Sequence, residues 1–168
     1  MIITARIRRD LLGHVVKDLE RPHPFAEERV GFLSTRTGYA GSGNLLILFS
    51  EYFPIPDNQY VQNTEVGACI DAIAIREAMQ RTLSTGCGTF HVHKHFLPGP
   101  LGFSAIDQQE LSRLMPSFLA VAPESAHGAL LLGSGDCRAL AWHHGKKHAA
   151  NVSRISIVGY PLQFTRRR

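Results

Sequence analysis

Apolar residues at Leu11, Leu12, Val15, Val16 and Leu19 recur at helical spacing, after a short apolar stretch, Ile2 to Ile7, that reads as a strand. Pro22 and Pro24 end that helix, because proline lacks the amide donor and restricts the residue before it. Val30-Gly31-Phe32-Leu33 reads as a strand, 37–44 as a glycine-rich turn, and Leu45 to Phe53 as a second strand closed by Pro54 and Pro56. Asp71 is placed to cap a helix reaching about Leu83, with Ile70, Ile73, Ala74 and Ala78 on its buried side and Gly86 at its end. A strand from Gly88 to about His93, a Pro/Gly loop over 94–103 and a third helix from Ser104, carrying Leu111, Leu114 and Met115, come next. Further strands are expected near 117–122, 128–133, 137–142 and 153–163.

Helices and strands therefore mix along one chain. The expected fold class is α/β, a single domain over 1–168 with a mixed β-sheet flanked by helices. The 168 residues suffice to bury a core, and 44% hydrophobic against 19% charged is an ordinary globular balance. No apolar run approaches the roughly 20 residues that span a bilayer, and the N-terminus turns polar too soon for a secretion signal. Cys69, Cys87 and Cys137 have no C-x-x-C spacing, which points to a reducing compartment and a cytoplasmic location. The net charge of +4 is uneven: no Asp or Glu follows Asp136, while Arg138, Lys146, Lys147, Arg154 and Arg166 to Arg168 lie there. Such a patch suits a nucleic acid or an acidic partner, or is only a solvated face. The regular interleaving of aromatic and basic residues that single-strand binders use is missing, which argues against nucleic acid. No G-x-G-x-x-G or P-loop opens a helix, which argues against a nucleotide cofactor.

The chemistry concentrates in His91-Val92-His93-Lys94-His95 and Phe103-Ser104-Ala105-Ile106-Asp107. Alternate residues of a strand share a face, so the three imidazoles project together. Two of them make two corners of a tetrahedral zinc site, and a carboxylate such as Asp107, brought back by the loop, makes a third. Taken singly, H-x-H is an ordinary histidine pair and S-x-x-D is a helix capping box. Joined by ten residues they are far more specific. His143, His144 and His148, with Lys146 and Lys147, read as an exposed basic turn, or as a second metal site. Trp142 and Phe103 read as core or cleft wall.

H-x-H, a loop and S-x-x-D together resemble the JAMM (JAB1/MPN/Mov34) metalloprotease motif, whose upstream glutamate on an E-x-x-G element is matched by Glu28-Arg29-Val30-Gly31. Gly88-Thr89-Phe90-His91 matches the family's lead-in, and the resemblance runs over essentially the whole chain. It implies a JAMM/MPN fold of cytidine-deaminase-like architecture, with one zinc per chain held by His91, His93 and Asp107. It implies that Glu28 activates the attacking water and passes its proton to the leaving amine, and that Ser104 hydrogen-bonds the oxyanion. Many members have proline directly after the second histidine, where this chain has Lys94 and then His95. The pair His93 and His95, with eight residues before Ser104, is therefore the alternative; the register set by Gly88 favours His91 and His93. Glu27 is an alternative base that does not fit E-x-x-G.

The form is similar to stand-alone bacterial members, some encoded beside ubiquitin-like proteins and E1-like and E2-like enzymes, including in antiphage operons. The activity this implies is zinc-dependent isopeptidase or peptidase cleavage after the C-terminus of a ubiquitin-like modifier. Alternatives are a catalytically inactive MPN scaffold and a JAMM peptidase acting on a small carrier protein or peptide. Zinc deaminases need H-x-E and P-C-x-x-C, and neither is present. The loop Pro-Ser-Gly-Asp-Pro of the DNA-repair branch is missing too.

Overall fold

The computed structural model describes residues 1–168 except Ser42, Thr64, Leu97, Pro98, His144, Lys147, Leu162, Arg167 and Arg168. The elements are β1 (Ile3–Arg8), α1 (Arg9–Leu19), β2 (Val30–Ala40), β3 (Asn44–Pro54), α2 (Ala72–Thr85), β4 (Gly88–Lys94), α3 (Ala105–Val121), β5 (His127–Leu132), β6 (Cys137–Trp142), β7 (Ala150–Asn151), β8 (Arg154–Val158) and β9 (Gln163–Arg166). They form an α/β fold around one mixed sheet, with the order β7-β6-β5-β4-β2-β3-β1-β8-β9. The pairs β1–β3, β1–β8 and β4–β5 are parallel and the rest antiparallel.

The sheet curls. Only Val152 and Ser153 separate β7, beside β6, from β8, beside β1. The amide of Val152 donates to the Ala139 carbonyl at 3.0 Å and that of Ser153 to the Ile3 carbonyl at 2.8 Å. Two consecutive amides thus tie together β6 and β1, which stand five places apart in the sheet order.

Alternation along the central strands divides the core in two. Leu33, Phe90, Val92, Leu130 and Leu132 join Leu11, Val15 and Leu19 of α1 on one face. Val30, Phe32 and Ala129 face the other way, onto Ala74 and Ala78 of α2 and Leu111, Met115 and Phe118 of α3. Odd-numbered positions of β4 share that second face, so the three histidines lie on the side covered by α2 and α3.

Three expectations from the pattern are corrected. Residues 117–121 continue α3, running through Pro116, because Leu111, Met115 and Phe118 carry one buried stripe across the proline. An interior proline costs about 3 kcal/mol, and burying Met115 and Phe118 stabilises by about 1.5–3 kcal/mol each, enough to offset it. Pro116 is exposed, and so is Ser112, whose carbonyl loses its helical donor to the proline. Of the turn expected over 37–44, residues 37–40 and 44 are strand instead, because β2 and β3 pair as one long hairpin up to Ala40 and Asn44, and Ser42 lies outside the described residues. Gly41 and Gly43, at φ of 53° and 80°, supply the left-handed backbone that this turn needs. The single strand expected over 153–163 is two antiparallel strands, β8 and β9, separated at Gly159 (φ 140°) and Tyr160. Among the described residues, no helix is long and apolar enough to cross a membrane.

Candidate metal centre

Strand register places the first two parts of the site. β2 and β4 pair with Val30 opposite His93 and Phe32 opposite His91. Continuing that register by two residues sets Glu28 across from His95, just beyond both strand ends. Donor atoms of Glu28, His93 and His95 lie within 4.8 Å of one another. The rings of His93 and His95 stand 5.0 Å apart, centroid to centroid.

Asp107 comes from α3. Ser104 is the helix N-cap: its hydroxyl accepts from the Asp107 amide at 3.1 Å, and Asp107 Oδ2 accepts from the Ser104 amide at 2.7 Å. This reciprocal capping box orients the carboxylate. Asp107 Oδ1 then faces His93 Nε2 at 3.4 Å, and Oδ2 lies 3.7 Å from His95 Nε2. The capping reading and the ligand reading of S-x-x-D are thus compatible in one side chain.

His91 sits one step deeper along β4. Its ring meets His93 at 5.4 Å and Phe32 edge-on at 5.8 Å, and its Nδ1 is buried without a hydrogen-bond partner. Burial, with the neighbouring His93 charge, pushes its pKa down to about 3, so the ring is neutral at physiological pH. It stands outside the converging group of Glu28, His93 and His95. Lys94, on the opposite face of the strand, forms an ion pair with Glu20 just after α1.

The segment carrying Glu28 is anchored by polar contacts. Arg29, 2% exposed, donates to the carbonyls of Arg21 and Pro22 at 2.8 Å each and pairs with Asp57 at 2.7 Å. The amides of Glu27 and Glu28 both donate to the Gly67 carbonyl, at 2.9 and 3.0 Å. Tyr60 closes the bracket, its hydroxyl accepting from the Val30 amide and donating to the Val30 carbonyl. Gly67 packs directly on the catalytic candidate: a Cβ there would lie 3.0 Å from Glu28 Cδ. Glu27 is exposed. Arg29, Tyr60 and Gly67 escaped the sequence reading because Arg29 meets Asp57, Tyr60 meets Val30 and Gly67 meets Glu27 and Glu28 over long separations that follow no periodic spacing.

The electrostatics separate the two carboxylates. Burial raises the Glu28 pKa above the ordinary 4.5, against the lowering effect of His93 and His95, and the charges of Asp107 and Glu27 push it the same way as burial. For Asp107, burial also raises, but the contacts with His93 and the hydrogen bonds with Ser104 outweigh it and hold the pKa well below 3.8. The surroundings thus split the two carboxylates, lowering the proton affinity of Asp107 and raising that of Glu28.

The donor chemistry fits a zinc-type cation. His93 is 2% exposed and both its ring nitrogens lack a hydrogen-bond partner, an arrangement that costs about 1–3 kcal/mol per buried polar atom. Two imidazoles and a carboxylate are the nitrogen and oxygen donors zinc prefers. Among the described residues, Glu28, His93 and His95 are the one grouping of at least three His, Cys, Asp or Glu suited to a metal. His144 and Lys147 of the His143–His148 stretch lie outside the described residues. His143 and Trp142 are buried, 6% exposed each, so His143 does not belong to an exposed turn.

A cleft of about 970 Å³ opens from Glu28 and His95 along the turn between β5 and β6 to Arg138, Arg154 and Phe164. A smaller one of about 270 Å³ lies beyond Glu28, against Leu19 to His23.

No protein-family model matches the chain, and neither does any curated protein. Among solved structures it is similar to the Trichoplax adhaerens STIL N-terminal domain, at 9% identity and a TM-score of 0.40. That match covers 80% of this chain and 39% of the other, so the chain spans less than half that structure's length. A likeness of this size carries no argument about fold or function.

Proposed function

We propose that the protein is a zinc-dependent peptidase or isopeptidase of the JAMM type, with His93, His95 and Asp107 as ligands and Glu28 as general base. The observation that carries this reading is the convergence of Glu28, His93 and His95 donors within 4.8 Å at the mouth of a cleft, with Asp107 facing both imidazoles. It favours the pair His93 and His95 over His91 and His93. The JAMM/MPN, deaminase-like version of the α/β fold belongs to the same proposal. Its support is the order of the parts: a glutamate entering β2, histidines leaving β4, and a capped aspartate opening α3.

A zinc ion bound there supplies Lewis-acid polarisation of the scissile carbonyl and a nucleophilic water at neutral pH. Glu28, with its raised affinity for a proton, takes the proton of the attacking water and returns it to the leaving amine. Ser104 is exposed and its oxygen accepts from the Asp107 amide, which leaves its hydroxyl hydrogen to serve as the oxyanion donor; such a donor is worth about 3 kcal/mol of barrier. Asp107 stays ionised throughout and holds the imidazoles in place.

By the same reading, the substrate is the C-terminal junction of a ubiquitin-like modifier, the partners include E1-like and E2-like proteins, and the setting is cytoplasmic. A role in antiphage defence rests on the resemblance alone; unchanged protection by Glu28→Gln in an intact operon counts against it. The direct test is cleavage of ubiquitin-like fusions by wild-type, chelated and zinc-restored protein. Activity that chelation abolishes and zinc restores is expected; cleavage indifferent to chelation overturns the reading. The capping box favours a second reading, in which Ser104 and Asp107 only start α3 and the protein is a scaffold. That reading expects no bound metal.

A further inference from the structure

The large cleft holds two arginines that the proposed chemistry does not use. Arg8, Arg21, Arg29 and Arg113 each pair with a carboxylate. Arg138 and Arg154, which line the cleft, have none among the described residues; Arg154 instead lies over the Phe164 ring, 6.0 Å from its centroid. The cleft's own acids are Glu28, at the site end, and Asp136, whose Oδ1 accepts from the Cys137 amide. A cavity of about 970 Å³ is at the upper end of the roughly 300–1,000 Å³ that holds small ligands. It therefore takes several residues of extended chain. Glu28 and Phe96 line both this cleft and the smaller one, so a chain crossing from one to the other passes over the catalytic carboxylate.

We infer that the cleft binds an extended polypeptide segment bearing acidic side chains, with Arg138 and Arg154 as the specificity-determining contacts some residues away from the scissile bond. The inference deepens the hydrolase reading and rests on it for the scissile bond, but the charge preference stands on the cleft alone. Two guanidiniums with no carboxylate partner among the described residues, beside a mixed polar and apolar wall, suit carboxylates spaced along a peptide. Phe96 and Phe164 offer aromatic faces there, but two arginines among the described lining residues do not make the continuous basic track that a nucleic-acid strand needs.

The test is fluorescence anisotropy on the full chain in chelator, which separates binding from turnover. The probes are a labelled peptide of roughly ten Gly, Ala and Leu residues carrying two glutamates, and its glutamine counterpart. The glutamate peptide is expected to bind about tenfold tighter than the glutamine one, less so as salt rises. R138Q/R154Q is expected to abolish the difference. R6Q/R36Q, which removes the same charge from exposed positions outside the cleft, is expected to retain it. Equal binding of the two peptides by the wild type overturns the inference, and so does equal loss in both double variants. An oligothymidylate of like charge binding as well as the glutamate peptide overturns it in favour of a nucleic acid. Zinc content and hydrolysis of a neutral peptide are untouched by any of these outcomes, so the two readings fail separately.

Discussion

In the proposed mechanism Glu28 carries the chemistry: burial raises its proton affinity, and its carboxylate converges with the donors of His93 and His95. Glu28→Gln keeps the shape and removes the base, so the variant is expected to retain zinc and lose about 10²–10⁴-fold in turnover. Turnover equal to wild type removes Glu28 from the mechanism. The histidines give a sharper comparison. His95→Ala is expected to lose zinc binding and His91→Ala to keep it, as measured by titration of metal-free protein. The reverse result restores the ligand pair His91 and His93. Sequence alone could not decide between them, because His91, His93 and His95 all project from the same strand face. What separates them is where β2 runs out opposite β4, which sets Glu28 across from His95; that is a tertiary fact. The aspartate was legible as a candidate, and so was its capping role.

Among the elements, α3 both covers the core and delivers Asp107, the proposed ligand. Ser104→Ala removes the N-cap acceptor, at a cost of about 1 kcal/mol, which for a chain of this size lowers Tm by about 2–4 °C. It is also expected to slow turnover while zinc stays bound. A loss of stability with full activity assigns Ser104 to the helix alone. The loop after β3 acts on Glu28 through Gly67, where a methyl group would press on the carboxylate at about 3 Å. Gly67→Ala is therefore expected to displace Glu28, lowering kcat and leaving metal content intact. Helix starts were readable: Asp71 accepts from the amides of Ile73 and Ala74, and Ser104 from that of Asp107. The end of α3 was not, because Pro116 is a local stop signal that a buried stripe eight residues long overrides. The joint between β8 and β9 carries its own turn residues, Gly159 and Pro161, which the apolar positions around them outweighed in the sequence reading.

At the scale of the whole molecule, the curled sheet packs helices on both faces, and its stability is tied to pH by buried His127. That ring is 0% exposed, accepts from the Thr89 amide through Nδ1 and donates from Nε2 to the Ala122 carbonyl, so it is held neutral. Burial lowers its pKa below the ordinary 6.5, against the raising effect of Ala122. The unfolded chain therefore takes up a proton as pH falls through 6.5 while the folded one resists it. Stability is full above that value and is lost progressively below it. Melting of metal-free protein from pH 8 to 5 is expected to show Tm constant at first and then falling; a Tm that rises on acidification contradicts the assignment. The α/β class and the mixed sheet were legible from the pattern of runs. The curl was not, since it depends on two amides at Val152 and Ser153 that no periodicity marks. The central claim is that this fold brings His93, His95 and Asp107 together to hold a metal, and elemental analysis tests it most directly. Untagged protein, purified without chelator or nickel resin, is expected to carry about one zinc per chain, and the His95→Ala variant none. Wild-type protein that stays metal-free after zinc is added back contradicts the account.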